Sequence, residues 1–176
     1  MCVAVNGVDD LDFLAGQGQD NIDEFGAALR GEAALQAHLA PEREAMLQID
    51  AAGLTQAMSS ILPQVDKDAL LRNDELGESV VTGIRVGLKY GSDGWADDDL
   101  AFVADWGFSL DEVNVPVLLY QGSEDKMVPY AHGQWLAKHL PQQHLRKHFF
   151  NGEGHISIFL GQLDNMLDEL LQVASH

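Results

Sequence analysis

The stretch Val115-Pro116-Val117-Leu118-Leu119-Tyr120-Gln121-Gly122-Ser123-Glu124-Asp125-Lys126-Met127-Val128-Pro129 decides the fold. Its first six residues, Val115 to Tyr120, form a continuous apolar, β-rich run of the kind a parallel sheet buries on both faces. Gly122 breaks the run, and a polar loop from Ser123 to Lys126 follows. Pro129 stands where a first helical turn opens, and a helix through Trp135, Leu136 and Leu140 is closed by Pro141. Leu145 to Phe150 reads as a second strand, and Asn151-Gly152-Glu153-Gly154-His155 reads as its loop. Ile156 to Val173 reads as a terminal amphipathic helix. Strand, helix, strand, helix at these lengths predicts a right-handed βαβ unit with one more helix.

Upstream the pattern is helical and broken. Asp20 or Asn21 caps a helix with Ile22, Phe25 and Leu29 on its apolar face, and Gly31 stops it. A segment from Glu32 to Leu39 is interrupted at Pro41, and another runs from Glu42 to Ile49. Gly53 separates that from Leu54 to Leu62, which Pro63 ends. Asp66 caps a brief turn through Leu70 and Leu71. Leu76, Val80, Ile84 and Leu88 then recur every four residues, with Gly91 as the stop. The acidic run Asp97-Asp98-Asp99 reads as the capped start of a helix from Asp98 to Ala104. Before residue 110 the sole strand-like piece is a weak one, Met1 to Val8. The chain therefore divides into a helical region, residues 1–112, and an α/β region, residues 113–176.

In an open α/β sheet, ligands bind beyond the carboxyl ends of the strands. Asp125 follows the first strand and His155 the second, so neighbouring strands bring both to one edge. A buried carboxylate beside a histidine fixes its tautomer and stabilises the imidazolium that forms when it takes a proton. The glycines flanking Glu153 allow the tight turn that presents His155 there.

Residues 115–129 resemble the strand and acid loop of the α/β-hydrolase family, and Gly-Glu-Gly-His-Ile-Ser, residues 152–157, resembles its histidine loop. Acid before histidine is also the family order. Trp106-Gly107-Phe108-Ser109-Leu110 is similar to the cap exit of esterase- and aminopeptidase-like members. The likeness is specific from about residue 93 onward; before that it rests on a helical stretch similar to a cap. It implies a partial α/β-hydrolase fold: a helical cap, then the last strand-helix-strand-helix of a parallel sheet. It assigns Asp125 as triad acid and His155 as general base, with Glu124 the nearest competitor for the acid. The full-length relative would cleave an ester, amide or similar acyl bond by serine attack.

The nucleophile of such a triad sits in a Gly-x-Ser-x-Gly elbow between a strand and a helix. No serine here has that setting. Ser59, Ser60 and Ser79 fall in helical runs, Ser92 has the wrong glycine spacing, and Ser175 is terminal. Ser109 and Ser123 flank the acid strand, and Ser157 follows the histidine. Cys2 lacks both strand and elbow glycines. The chain thus reads as a cap plus the last third of a hydrolase, beginning after the nucleophile and inactive on its own. With no earlier strand beside it, the Val115–Tyr120 strand leaves an open edge that invites a homodimer. The alternative expectation is a non-catalytic ligand-binding or self-associating protein.

Composition narrows the partners. Twenty-eight acidic against 10 basic residues give a net charge of -18, a surface that repels phosphate backbones and anionic lipid. Nucleic acid and membrane are thereby disfavoured; the ligand that the resemblance implies is a small ester- or amide-like molecule. No apolar run is long enough for a bilayer and no leader pattern opens the chain; with a lone Cys2, cytoplasm is the expectation. His132 and His139 are seven apart, His144 and His148 four apart, and neither spacing converges on a metal. Asp97–Asp99 lacks the glycine and terminal glutamate of a calcium loop, and Gly16-Gln17-Gly18 follows no strand as a phosphate loop would. No cofactor is implied. Trp95, Trp106 and Trp135 read as packing residues.

Overall fold

Pairing of the two predicted strands organises the second part of the molecule. The computed structural model describes residues 5–174, so Cys2, Ser175 and the first half of the Met1–Val8 segment lie outside it. Strand β1, Val117–Gly122, pairs in parallel with β2, Leu145–Phe150, from Val117 opposite Leu145 to Gly122 opposite Phe150. Helix α7, Tyr130–His139, makes the crossover, and α8, His155–Ala174, follows β2. β2 has the predicted bounds. β1 starts two residues later than expected, because Pro116 offers no N–H to a ladder and exposed Val115 stays outside the sheet.

Side chains alternate across β1 and meet a helix on either side. Leu119 is buried with Leu136, Ala137 and Leu140 at α7. Tyr120 donates its hydroxyl to Glu169 on α8, 2.6 Å away.

The first part consists of α1 (Gln19–Leu29), α2 (Glu32–Gln48), α3 (Ala51–Ala57), α4 (Gln64–Leu71), α5 (Asp74–Gly87) and α6 (Asp93–Val103). Ala27, Ala28, Leu35, Leu39 and Ala96 form a separate core where α1, α2 and α6 meet. α4 touches both α5 and α8, which joins the helical part to the α/β part. The molecule is thus mostly helical, with a small two-stranded parallel sheet: a mixed α/β class.

Several helical boundaries differ from expectation. Pro41 lies inside α2 and does not divide it. It removes one N–H from the ladder, while Leu35 and Leu39 are fully buried and hold the helix in place. Gly53 falls in the first turn of α3, where its N–H donates to the capping carboxylate of Asp50 at 2.7 Å, and that helix ends at Ala57. α1 starts after Gly18, so Asp20 sits in its first turn and does not cap it. α5 is capped by Asn73 and ends at Gly87, a turn before Gly91. α6 starts at Asp93, which places Asp97, Asp98 and Asp99 inside the helix. Asp66 caps no turn of its own: it lies within α4, and its carboxylate serves a different helix.

Candidate functional site

The loop after β1 turns on Asp125. Its Oδ1 accepts the N–H groups of Met127 (2.9 Å) and Val128 (2.8 Å), which closes the loop and fixes the carboxylate before any partner is considered. Its other oxygen, Oδ2, stands 2.9 Å from Nδ1 of His155. Asp125 is 6% exposed, so this pairing lies in a setting of weak screening. Glu124, the competing acid, is exposed and reaches Ser123 Oγ at 3.3 Å. The structure therefore brings Asp125, and not Glu124, to His155.

His155 is the first residue of α8. Gly152 has a φ of 80°, which favours glycine, and lets the chain turn back from β2. Gly154 has no room for a Cβ, which would collide with the carboxylate of Asp66. That carboxylate, fully buried on α4, accepts the N–H groups of His155 (2.8 Å), Ile156 (3.1 Å) and Ser157 (2.8 Å). Ser157 Oγ accepts the Gly154 N–H at 2.8 Å. Asp66 thus serves as the cap of α8 from 89 residues away, its negative charge set against the positive end of the helix.

The sequence reading missed this role of Asp66. One signal was present: α8 begins behind glycine, with no Ser, Thr, Asp or Asn at the capping position, so its free N–H groups needed a remote acceptor.

The helical part also holds the acid loop. Gly18, at the start of α1, donates its N–H to Lys126 O at 2.9 Å, and Asn21 Nδ2 lies 3.4 Å from Met127 O. Each loop of the pair is therefore braced by helices far away in sequence.

Burial pushes the His155 imidazole toward neutrality. The hydrogen bond to Asp125, the charge of Asp125 and the charge of Asp66 outweigh it, and the pKa lies above its ordinary value of 6.5. With Nδ1 turned to a carboxylate, the neutral ring carries its proton there and presents Nε2 as an acceptor. No hydrogen bond joins Nε2 to another described residue.

Asp125 and His155 both line a cavity of about 340 Å³. Its walls include Leu70 of α4, Leu76 and Val80 of α5, and Ile156, Phe159 and Met166 of α8. No serine, threonine or cysteine lines it among the described residues. Ser60 accepts the Asp20 N–H, Ser109 caps a short turn at Leu110–Glu112, and Ser123 accepts the Gly152 N–H. Tyr120 lines the same cavity, and its hydroxyl donates to Glu169.

The remaining aromatic candidates pack. Trp95 donates to Glu24, Trp135 stacks on His139 with ring centres 3.8 Å apart, and Trp106 stacks on Phe108. Among the described residues no group of three His, Cys, Asp or Glu side chains converges as a metal site would require. No described helix is long and apolar enough to cross a membrane. Comparison with protein-family models, with curated proteins and with solved structures found no match to this chain.

Proposed function

We propose that this chain carries the acid–histidine part of an α/β-hydrolase-like acyl hydrolase. Residues 1–112 act as its cap, and residues 113–176 as the end of its core. In this reading Asp125 orients His155, and His155 takes the proton of an attacking hydroxyl and returns it to the leaving group. The hydroxyl comes from outside these 176 residues, and the bond cleaved is an ester, amide or related acyl bond. The observation that carries the reading is the 2.9 Å approach of Asp125 Oδ2 to His155 Nδ1 at the mouths of two adjacent parallel strands. The acid-before-histidine order and the two loop motifs support it.

Loss of a serine nucleophile removes roughly a millionfold in rate from enzymes of this kind. The 176-residue chain is therefore expected to show no triad hydrolysis and to leave a fluorophosphonate probe unreacted. One serine labelled stoichiometrically would overturn that expectation.

The pairing itself is tested by following His155 through a pH titration with NMR. The midpoint should lie above 6.5 in the parent chain. It should fall in Asp125→Asn, where burial remains and the countercharge is gone. An unchanged midpoint would remove Asp125 from its role. The stability that the pair contributes is fully present below pH 6.5 and is lost as pH rises through the folded midpoint. Asp125→Asn should therefore be most damaging in acid.

A second reading, a non-catalytic binding protein, is favoured by the cavity beside His155, whose lining holds an imidazole and no nucleophile among the described residues.

A further inference from the structure

Every side-chain polar atom that Asp125 and Tyr120 bring to the 340 Å³ cavity already has a partner. Asp125 accepts two backbone N–H groups and faces the imidazole, and Tyr120 donates to Glu169. His155 Nε2 is left without one among the described residues. Because Nδ1 faces a carboxylate, the neutral ring asks for a donor at Nε2. In a complete triad that donor is a serine hydroxyl. Here the space beside the ring is walled instead by Leu70, Leu76, Val80, Ile156, Phe159 and Met166.

A ligand matched to this site has one hydroxyl and one apolar chain. A carboxylate fits less well, since Asp125 and Asp66 lie against His155 and the whole chain carries -18. A cation fits less well too, because both oxygens of Asp125 are engaged. At the ~30 Å³ that a water-sized group occupies in a liquid, the cavity holds a chain of roughly ten heavy atoms.

We propose that the chain binds a medium-chain aliphatic alcohol, its hydroxyl donating to His155 Nε2 and its alkyl chain lying between α4, α5 and α8. The proposal rests on the Asp125–His155 reading for the tautomer of the ring. It goes beyond that reading in assigning a ligand to the cavity.

The test is calorimetric titration of the whole chain with 1-hexanol, 1-heptanol and 1-octanol, at a pH about two units above the His155 midpoint found by NMR, so that the ring is neutral. Saturable one-to-one binding should tighten by about fourfold for each methylene. 1-Octanol should shift the NMR signals of the His155 ring, and octanoate should bind more weakly than 1-octanol. Leu76→Trp, which fills the cavity from α5 and leaves Asp125 and His155 in place, should abolish 1-octanol binding while His155 titrates as before.

Absence of saturable binding overturns the proposal, as does tighter binding of octanoate. Binding that survives Leu76→Trp puts the chain elsewhere and also overturns it. None of these outcomes touches the hydrolase-like reading, which stands or falls on the Asp125-dependent titration of His155.

Discussion

The α/β unit, residues 117–174, and the helical part, residues 19–103, respond differently to the same kinds of signal. In the α/β unit, prolines mark boundaries: Pro116 keeps Val115 out of β1, Pro129 precedes α7, and Pro141 follows its end. In the helical part breakers act unevenly: Gly31 separates α1 from α2 and Pro63 stands just before α4, but two others do not break a helix. Pro41 is carried inside the 17 residues of α2, and Gly53 sits in the first turn of α3. A strand loses a sheet partner when it loses an N–H, but a helix already packed on one face loses one bond and continues. A breaker is thus weakest where burial of residues such as Leu35 and Leu39 holds the segment around it.

The sharpest way to break that comparison is to cut the joint between the two regions. Asp66 belongs to the helical part, yet its three hydrogen bonds go to the start of α8. Asp66→Ala leaves those N–H groups without an acceptor in a buried site, at a cost of about 3–4 kcal/mol. Urea denaturation should show the loss, and hydrogen exchange should place it at residues 155–157 and at the α4–α8 contact. Asp66→Asn, which keeps one acceptor, should recover part of it. A loss below about 1 kcal/mol would mean that water replaces the carboxylate and that α8 is positioned by its own packing.

That joint also marks the limit of what could be read from the chain. β2 was legible to the residue because a strand with clear flanking turns is a local event. The Asp125–His155 meeting was legible because two parallel strands of equal length carry their loops to one edge. Asp66 was read as a local cap because a caps rule looks a few residues ahead, while its acceptor atoms face a segment 89 residues on. The acidic run at Asp97–Asp99 failed similarly. The run reads as the capped start of a helix, whereas Ser92 precedes the helix, which begins at Asp93, and Asp99 lies inside it, only 3% exposed.

Asp99 offers a test confined to the helical part. Burial raises its pKa to about 8, and the neighbouring carboxylate of Glu24, by charge and by hydrogen bond, adds to the effect. A carboxyl whose folded pKa is raised contributes stability that is full below about 4 and declines as pH rises toward 8. Asp99→Asn stays neutral, so it should gain on the parent chain across that window by on the order of 2 kcal/mol. Urea melts at about pH 5 and pH 9 measure the difference. The gain should appear as slower exchange in α1 and α6, with β1 and β2 unaffected. An equal difference at both pH values would mean that Asp99 is ionised throughout and finds a partner other than Glu24.

The smallest effect is expected at Pro41, where the comparison began. Proline inside a helix costs about 3 kcal/mol in an unconstrained host, through the missing N–H and a clash with the preceding turn. Here α2 is already formed around it, and proline also restricts the unfolded chain, so Pro41→Ala should stabilise by only about 1 kcal/mol. Just beyond it, Arg43 donates through Nε to Leu88 O at 2.9 Å, tying the second half of α2 to the end of α5. If the proline bends α2 so that Arg43 reaches Leu88, straightening the helix would weaken that bond. Pro41→Ala would then destabilise, and Arg43→Ala would add nothing to the loss in the double variant. A gain in melting temperature with an additive Arg43→Ala would establish Pro41 as a tolerated defect; a loss without additivity would make it a boundary after all, one that sets direction and not length.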